Sequence, residues 1–220
     1  MLTKFRVHIK VCCIRSLQEA NLALALGAYA LGLVTEMPSG PGVSSEEEIT
    51  HIIQNLPTET RTFLLTCRQN IPEIVAQQKR THANTLQLVD ALPKGSHAHL
   101  RELLPEVRLV QVIHVHDESS LDEALEVAPE VDALLLDPGN PHLAVKELGG
   151  TGRVHNWEIS KKICAESPVP VFLAGGIRPE NIREAIERVQ PYGIDLCTGV
   201  RTEDRLDPEK LSRLFDAIRV

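Results

Sequence analysis

The sequence predicts an α/β fold of the (βα)8 or TIM-barrel type, formed as one domain over residues 1–220. The first observation is alternation, because short apolar runs are followed repeatedly by amphipathic stretches of helix length. This pattern is typical of parallel strands joined by right-handed helical crossovers. The second observation is the number of units: eight fit into 220 residues, about 27 residues each. Eight units and no more favour a closed barrel over an open sheet.

The predicted strands are short runs of Val, Ile, Leu and Ala, as expected for a parallel sheet that is buried on both faces. Only seven aromatic residues are present (one Trp, two Tyr and four Phe), so aliphatic side chains must fill the interior. The strands are expected at 7–14, 29–34, 61–66, 84–89, 107–115, 131–137, 169–175 and 193–199.

A helix is predicted after each strand, and several have clear boundary signals. Ser16 can cap the first helix and Gly27 can end it. Ser44 or Ser45, followed by acidic residues at 46–48, predicts the start of the second helix. The helices are expected at about 16–26, 45–55, 71–80, 97–104, 118–128, 156–165, 179–189 and 207–219.

Charge and composition exclude several classes of function. The net charge of −7 and the few aromatic residues argue against binding to nucleic acid or to a membrane surface. The longest apolar stretch, 20–34, is too short to span a bilayer, and no signal peptide is expected. The five cysteines form no CxxC pair and predict reduced thiols in a cytoplasmic protein. Either a monomer or a homodimer is compatible with this composition.

The active site of such a barrel lies at the carboxyl ends of its strands. Alternation along the first strand places Cys12 inside the barrel and Cys13 on the face that packs against helices. The alternative is that both thiols are small buried hydrophobic groups. The residues expected at the strand ends are Cys12, Cys13, Thr35, Glu36, Thr66, Cys67, Asp90, His114, His116, Asp137, Gly175, Gly176, Thr198 and Gly199.

Two features at these strand ends indicate a functional site, namely a buried carboxyl group and a glycine-containing loop. Asp137 directly follows an apolar run, where a carboxyl group needs a partner or a site to face, although a simple turn residue is the alternative. The loop 174–182 has two glycines, with Pro179 placed to begin a helix, and together with the turn at 198–200 it predicts a phosphate site. Ordinary tight turns are the alternative there. His114 and His116 share a strand face, but no carboxylate set accompanies them, so no metal is predicted.

Seven blocks along the chain resemble the phosphoribosylanthranilate isomerase family. They keep the family order and cover nearly the whole sequence. The blocks are KVCCI (10–14), GAYALGLV (27–34), LQLVD (86–90), LLLD (134–137), GGTGRVHNW (149–157), LAGGIRPENI (173–182) and PYGIDLCTGV (191–200).

The resemblance implies an isomerase of tryptophan biosynthesis that needs no cofactor and acts on a small phosphorylated substrate. It implies that Cys12 is the general base and Asp137 the general acid of an Amadori rearrangement. Lys10 or a bound iminium would supply the cation that keeps Cys12 partly ionised. The substrate and its phosphate would be bound at Gly175, Gly176, Asp195, Thr198 and Gly199.

The sequence departs from the family pattern at several positions. Cys13 stands where the family has Gly, and Pro41 stands where an Arg that meets the anthranilate carboxylate is expected. Arg153 or His114 are candidates to replace that cation. Two alternatives to the family reaction therefore stay open, namely isomerisation of another phosphosugar, or a barrel that binds a phosphorylated ligand or protein without catalysis.

Overall fold

A closed barrel of eight parallel strands forms the centre of the protein. The computed structural model describes residues 7–140, 143, 146, 148, 152 and 156–219. The strands follow one another around the barrel in chain order, and the first pairs with the eighth, which confirms the predicted fold class. They are β1 His8–Val11, β2 Ala30–Val34, β3 Arg61–Thr66, β4 Thr85–Leu88, β5 Arg108–His114, β6 Ala133–Asp137, β7 Val171–Leu173 and β8 Gly193–Leu196.

Helices surround this barrel, and the predicted boundary residues act where expected. The Ser16 hydroxyl accepts the amide of Glu19, and Gly27 ends the first helix with a φ of 107°. Ser45 and Glu48 form a capping box. In the described residues the helices are α1 Leu17–Leu26, α2 Glu46–Gln54, α3 Ile71–Thr81, α4 Ser96–Leu103, α5 Ser119–Val127, α6 Trp157–Glu166, α7 Ile182–Val189 and α8 Pro208–Ile218. None of them is long and apolar enough to cross a membrane.

The buried apolar side chains form two layers. Ile9 and Val11 belong to the layer between the strands and the helices, which also holds Trp157. The second layer fills the barrel itself and includes Cys12 and Phe63. Because successive strand residues point to opposite faces, Lys10 lies on the same inward face as Cys12. Lys10 is fully buried.

Aromatic side chains are concentrated at the amino ends of the strands. Phe63 and Phe172 meet edge to face inside the barrel, with ring centroids 5.9 Å apart. Below them the ring of His8 lies between those of Tyr29 and Tyr192. A large share of the few aromatic residues therefore fills the end of the barrel remote from the predicted site.

The structure corrects two local predictions. The first strand ends at Val11, before the predicted limit, and Cys13 has a φ of 65°. The alternation therefore breaks, so Cys13 lines the same cavity as Cys12 and does not face the helices. Pro179 lies in a turn, and α7 begins only at Ile182.

A short hairpin after β8 is not predicted from the sequence. After β8 the chain makes a short antiparallel hairpin of β9, Arg201–Thr202, and β10, Arg205–Leu206. These strands are two residues each and carry charged side chains, so they have no strand-length apolar run that could have been recognised.

Candidate active site

An open cavity of about 690 Å³, including its solvent-filled mouth, lies at the carboxyl ends of the strands. Small-molecule sites of this fold lie at this end of the barrel. The structure brings together on its wall all seven site residues taken from the sequence, which are Cys12, Asp137, Gly175, Gly176, Asp195, Thr198 and Gly199. The described lining does not include Thr35, Glu36, Thr66, Cys67, Asp90, His114 or His116.

A buried ion pair lies beneath this cavity, and only its Asp195 member reaches the wall. The Lys10 ammonium lies 2.8 Å from a carboxylate oxygen of Asp195, and the two residues are register partners on β1 and β8. Burial by itself would lower the pKa of Lys10, but the charges of Asp195 and Cys12 outweigh it and raise that pKa, so Lys10 stays protonated. Burial raises the pKa of Asp195, and Lys10 opposes part of that rise.

Gly32 on β2 makes room for these groups. A Cβ at this position would lie 2.7 Å from the Cys12 sulfur and 3.0 Å from the Lys10 nitrogen. Both atoms therefore occupy the space beside the glycine, which brings a permanent cation close to the thiol. Glycine is required here by close approach, since φ at this residue is ordinary.

The Cys12 thiol is placed to ionise. The adjacent Cys13 side chain lowers its pKa, burial opposes this effect, and the Lys10 charge lowers the pKa further. The side chain is buried against protein but reaches the cavity wall. Thiolate character next to a cation is the usual basis of cysteine reactivity.

Asp137 is the last residue of β6 and is almost fully buried. One carboxylate oxygen accepts the amide of Gly139 at 2.9 Å, which fixes the carboxyl group against the turn that follows. The cavity therefore has a thiol just after β1 and a carboxyl group at the end of β6, both reaching a common space. Such a pair can transfer protons to and from one small molecule.

Two glycine turns meet on another side of the cavity. Gly175 and Gly176 have φ values of 87° and 62°, a region that favours glycine. Gly199 packs so closely that a Cβ would lie 1.9 Å from the Ile177 carbonyl oxygen. Within the described residues, the N–H groups of Gly175, Gly176 and Gly199 donate to no protein acceptor. Unpaired amides on a cavity wall are the donors that anion sites use, although α7 begins too late for its amino end to contribute directly.

The loop after β2 forms one side of the cavity. Met37, Ser39, Gly40 and Pro41 line it, and the Ser39 hydroxyl donates to the Lys146 carbonyl at 2.7 Å. No lysine, arginine or histidine is among the described residues of the wall.

His114 and Arg153 were the candidates to replace the arginine that is expected to bind the carboxylate. His114 is buried away from the wall with a ring nitrogen 3.0 Å from the Val89 carbonyl oxygen. Arg153 lies outside the described residues.

Two thiols of the cavity wall, those of Cys13 and Cys197, are not predicted from the sequence. Both line the same cavity as Cys12. Cys13 was misplaced because its left-handed backbone cannot be read from strand alternation. Cys197 follows β8 and has no pattern that separates it from an ordinary buried cysteine.

Fold and cavity together define a class, the (βα)8 barrels that carry acid–base groups at the carboxyl ends of their strands. Comparison with known proteins gives the family. The family model for N-(5'-phosphoribosyl)anthranilate isomerase matches residues 9–217. The chain therefore belongs to this family, and the resemblance seen in the sequence is confirmed.

Individual relatives agree with this assignment. N-(5'-phosphoribosyl)anthranilate isomerase of Moorella thermoacetica is 35% identical over 97% of this chain and 90% of its own. The structure of the Thermus thermophilus enzyme superimposes with a TM-score of 0.80 at 26% identity, over 96% of this chain and 98% of that one. A phosphoribosyl anthranilate isomerase solved with reduced 1-(o-carboxyphenylamino)-1-deoxyribulose 5-phosphate has a TM-score of 0.81 at 21% identity, over 97% and 99% of the chains.

Proposed function

We propose that this protein catalyses the Amadori rearrangement of N-(5'-phosphoribosyl)anthranilate to the corresponding 1-deoxyribulose 5-phosphate. The observation that carries the proposal is the meeting of Cys12, Asp137 and two glycine turns around one cavity. Membership of the isomerase family supports the same reaction. A small phosphorylated substrate is then the ligand, and the five free thiols fit a cytoplasmic protein.

Asp137 acts as the general acid in this mechanism. Its carboxyl group transfers a proton to the ring oxygen of the ribose as the bond between that oxygen and C1′ breaks. The anilino nitrogen supplies the electron pair, which leaves an open-chain iminium and the Asp137 carboxylate. The amide of Gly139 at 2.9 Å holds the carboxyl group in place during this step.

Cys12 acts as the general base in the next step. Its thiolate removes the proton from C2′, and the electron pair of that bond neutralises the iminium to give an enolamine. The enolamine then tautomerises to the ketone, so the reaction consumes no co-reactant. Lys10 stabilises the thiolate through its charge, and each positioned acid or base contributes about 10²–10⁴-fold to the rate.

The two glycine turns bind the phosphate group of the substrate. Their unpaired N–H groups supply hydrogen-bond donors without any side-chain charge. Gly152 also reaches this part of the wall, where a Cβ would lie 3.4 Å from the Thr198 hydroxyl. Anchoring the phosphate fixes the distance from the sugar carbons to Cys12 and Asp137.

A second candidate function is the same rearrangement on a phosphoribosyl amine without a carboxylate. The observation that favours it is the described wall, in which Pro41 occupies the position expected for the carboxylate-binding arginine and no cation is present. A carboxylate buried there without a partner would bind poorly.

Turnover of freshly prepared phosphoribosylanthranilate tests the first function, read as the loss of anthranilate-type fluorescence. Cys12→Ala and Asp137→Asn are expected to reduce kcat/KM by about 10²–10⁴-fold. Cys164→Ala, on the outer helix α6, and Asp122→Asn, exposed on α5, are the matched controls and should keep activity. No turnover by the unmodified protein would refute the function, and full activity in both site variants would refute the mechanism.

Phosphoribosylaniline, which lacks the carboxylate, separates the two substrates. A kcat/KM at least tenfold higher with phosphoribosylanthranilate supports the first function, and the reverse ratio supports the second.

A further inference from the structure

The apolar side of the cavity lies across the barrel from the two glycine turns. Those turns follow β7 and β8, and in a closed ring of eight strands the ends of β3 and β4 are opposite to them. The wall on that side is apolar and includes Val34 on β2, Leu65 on β3, Val89 after β4, and Leu148. A substrate whose phosphate binds at the glycine turns therefore extends its other end towards this apolar wall.

Lys146 lies at the rim of the apolar wall. Its carbonyl oxygen accepts a hydrogen bond from the Ser39 hydroxyl at 2.7 Å, and its ammonium group forms an ion pair with the Asp90 carboxylate. Ser39 belongs to the loop after β2, whereas Asp90 follows β4. The lysine side chain therefore spans the end of β3, which lies between those two strands in the barrel.

Both ends of this lysine are tied to the cavity wall. Ser39 itself lines the cavity, and so does Val89, which directly precedes Asp90. The Asp90 carboxylate is almost fully buried and accepts the amide of Ala91 at 3.0 Å, so the group that holds the ammonium has a fixed position. The ammonium is therefore held at the rim of the apolar wall.

The ion pair with Asp90 leaves Lys146 with bonding capacity for a ligand. An ammonium group has three N–H donors, and one of them is directed at Asp90. The Lys146 side chain is 41% exposed, whereas that of Asp90 is 8% exposed. A second carboxylate can therefore approach the cation without displacing the first.

The proposed substrate brings such a carboxylate. N-(5'-phosphoribosyl)anthranilate has it on the aromatic ring, next to the nitrogen that carries the sugar. The apolar wall suits the ring, but a carboxylate that lost its hydration there without a partner would bind poorly. Among the described lining residues none is basic, so a cation for this carboxylate has to come from the rim.

We propose that Lys146 is a specificity-determining residue that binds the ring carboxylate of the substrate at the rim of the apolar wall. Asp90 orients the ammonium group for this contact. The inference rests on the proposed function and deepens it, because it assigns the cation that distinguishes a carboxylated amine from an uncharged one. This cation belongs to the loop after β6, whereas Pro41 in the loop after β2 carries no charge.

Binding of two matched ligands tests this role without turnover. The first is reduced 1-(o-carboxyphenylamino)-1-deoxyribulose 5-phosphate, and the second is the same compound without the ring carboxylate. Titration calorimetry gives the Kd of each ligand for the unmodified protein, Lys146→Met and Lys146→Arg. Lys162→Met is the matched control, because Lys162 on α6 also pairs with a carboxylate, that of Glu118, but does not line the cavity.

We expect Lys146→Met to raise the Kd of the carboxylated ligand about tenfold and to leave the Kd of the other ligand unchanged. Lys146→Arg keeps the charge and should retain most of the discrimination. In the isomerase assay the Met variant should raise KM for phosphoribosylanthranilate about tenfold with little change in kcat, and KM for phosphoribosylaniline should not move. The control variant should behave as the unmodified protein does.

Two outcomes would overturn the proposal. One is an unchanged Kd of the carboxylated ligand in Lys146→Met. The other is an equal loss of affinity for both ligands, which would mean that Lys146 only fixes its loop through the ion pair with Asp90. Discrimination between the ligands without any turnover would instead refute the proposed isomerase activity and support the role of Lys146.

Discussion

Lys10 and Asp195 form a buried ion pair one interior layer below Cys12, with 2.8 Å between the nitrogen and a carboxylate oxygen. The pair connects the first and last strands where the barrel closes. Its cation is the charge that acts on the Cys12 thiol from below. One interaction therefore serves both the closure of the fold and the ionisation of the proposed base.

Replacing Lys10 by Met should damage stability and reactivity together. Asp195 would be left buried without its partner, which typically costs about 3–5 kcal/mol. The pKa of Cys12 should rise because the cation is lost. Urea unfolding and the rate of Cys12 alkylation measure the two effects. The double variant Lys10→Met/Asp195→Leu should recover stability but not reactivity, and an unchanged stability of the single variant would contradict this account.

Gly32→Ala should disturb the base through close contact. The new Cβ would lie 2.7 Å from the Cys12 sulfur, so the thiol must move, and overpacking of this kind costs about 1–3 kcal/mol. We expect kcat/KM to fall at least tenfold. The matched control is Gly193→Ala at the other end of the barrel, where a Cβ would lie 2.5 Å from the Phe172 ring. Equal losses of activity per unit of lost stability would show that the effect is only structural.

Gly199→Ala should push apart the two glycine turns that form the proposed phosphate site. Its Cβ would lie 1.9 Å from the Ile177 carbonyl oxygen, an atom of the backbone that has little freedom to yield. We predict a KM for the phosphorylated substrate about tenfold higher and weaker inhibition by inorganic phosphate, with a smaller effect on kcat. Gly95→Ala is the control for backbone strain away from the cavity, because its φ is 83° and a Cβ there meets nothing within 4 Å. A normal KM in the Gly199 variant would exclude this turn as the phosphate site.

Glu19 should make stability depend on acid pH. Burial raises its pKa, but hydrogen bonds from Arg201 and from the amides of Leu206 and Arg15 outweigh burial and lower it. A group with a lowered folded pKa stabilises the protein above its unfolded pKa, and this stability is lost as pH falls below about 4.5. The urea midpoint of Glu19→Gln should therefore fall less steeply with acid than that of the unmodified protein. Parallel pH profiles would contradict this.

Regular elements were predictable because local rules determine them. Ser16, Gly27 and Ser45 act as the caps that their residue types favour, and the alternation of apolar and amphipathic stretches indicated the barrel directly. The positions of Cys12 and Asp137 on the cavity wall followed from the rule that places active sites at the strand ends.

The rest depends on long-range contacts that no local pattern contains. Cys13 turns inward because of two long-range contacts. Arg201, 188 positions away in sequence, donates a hydrogen bond to its carbonyl oxygen, and Gly42 packs on its other side. Pro179 was expected to begin a helix, yet the Asn181 side chain binds the Arg178 amide and the Gly176 carbonyl group and holds the segment as a turn. Neither contact has a signature in sequence periodicity.

Phe63 and Phe172, which meet edge to face inside the barrel, limit the route by which ligands can enter and leave the cavity. Their rings fill the interior on the amino side, so the described cavity communicates with solvent at the carboxyl side. Substrate and product must then exchange through a single mouth, and each turnover waits for the previous product to depart. Product should accordingly compete with substrate for the free protein, which makes flux depend on how fast a downstream reaction removes it.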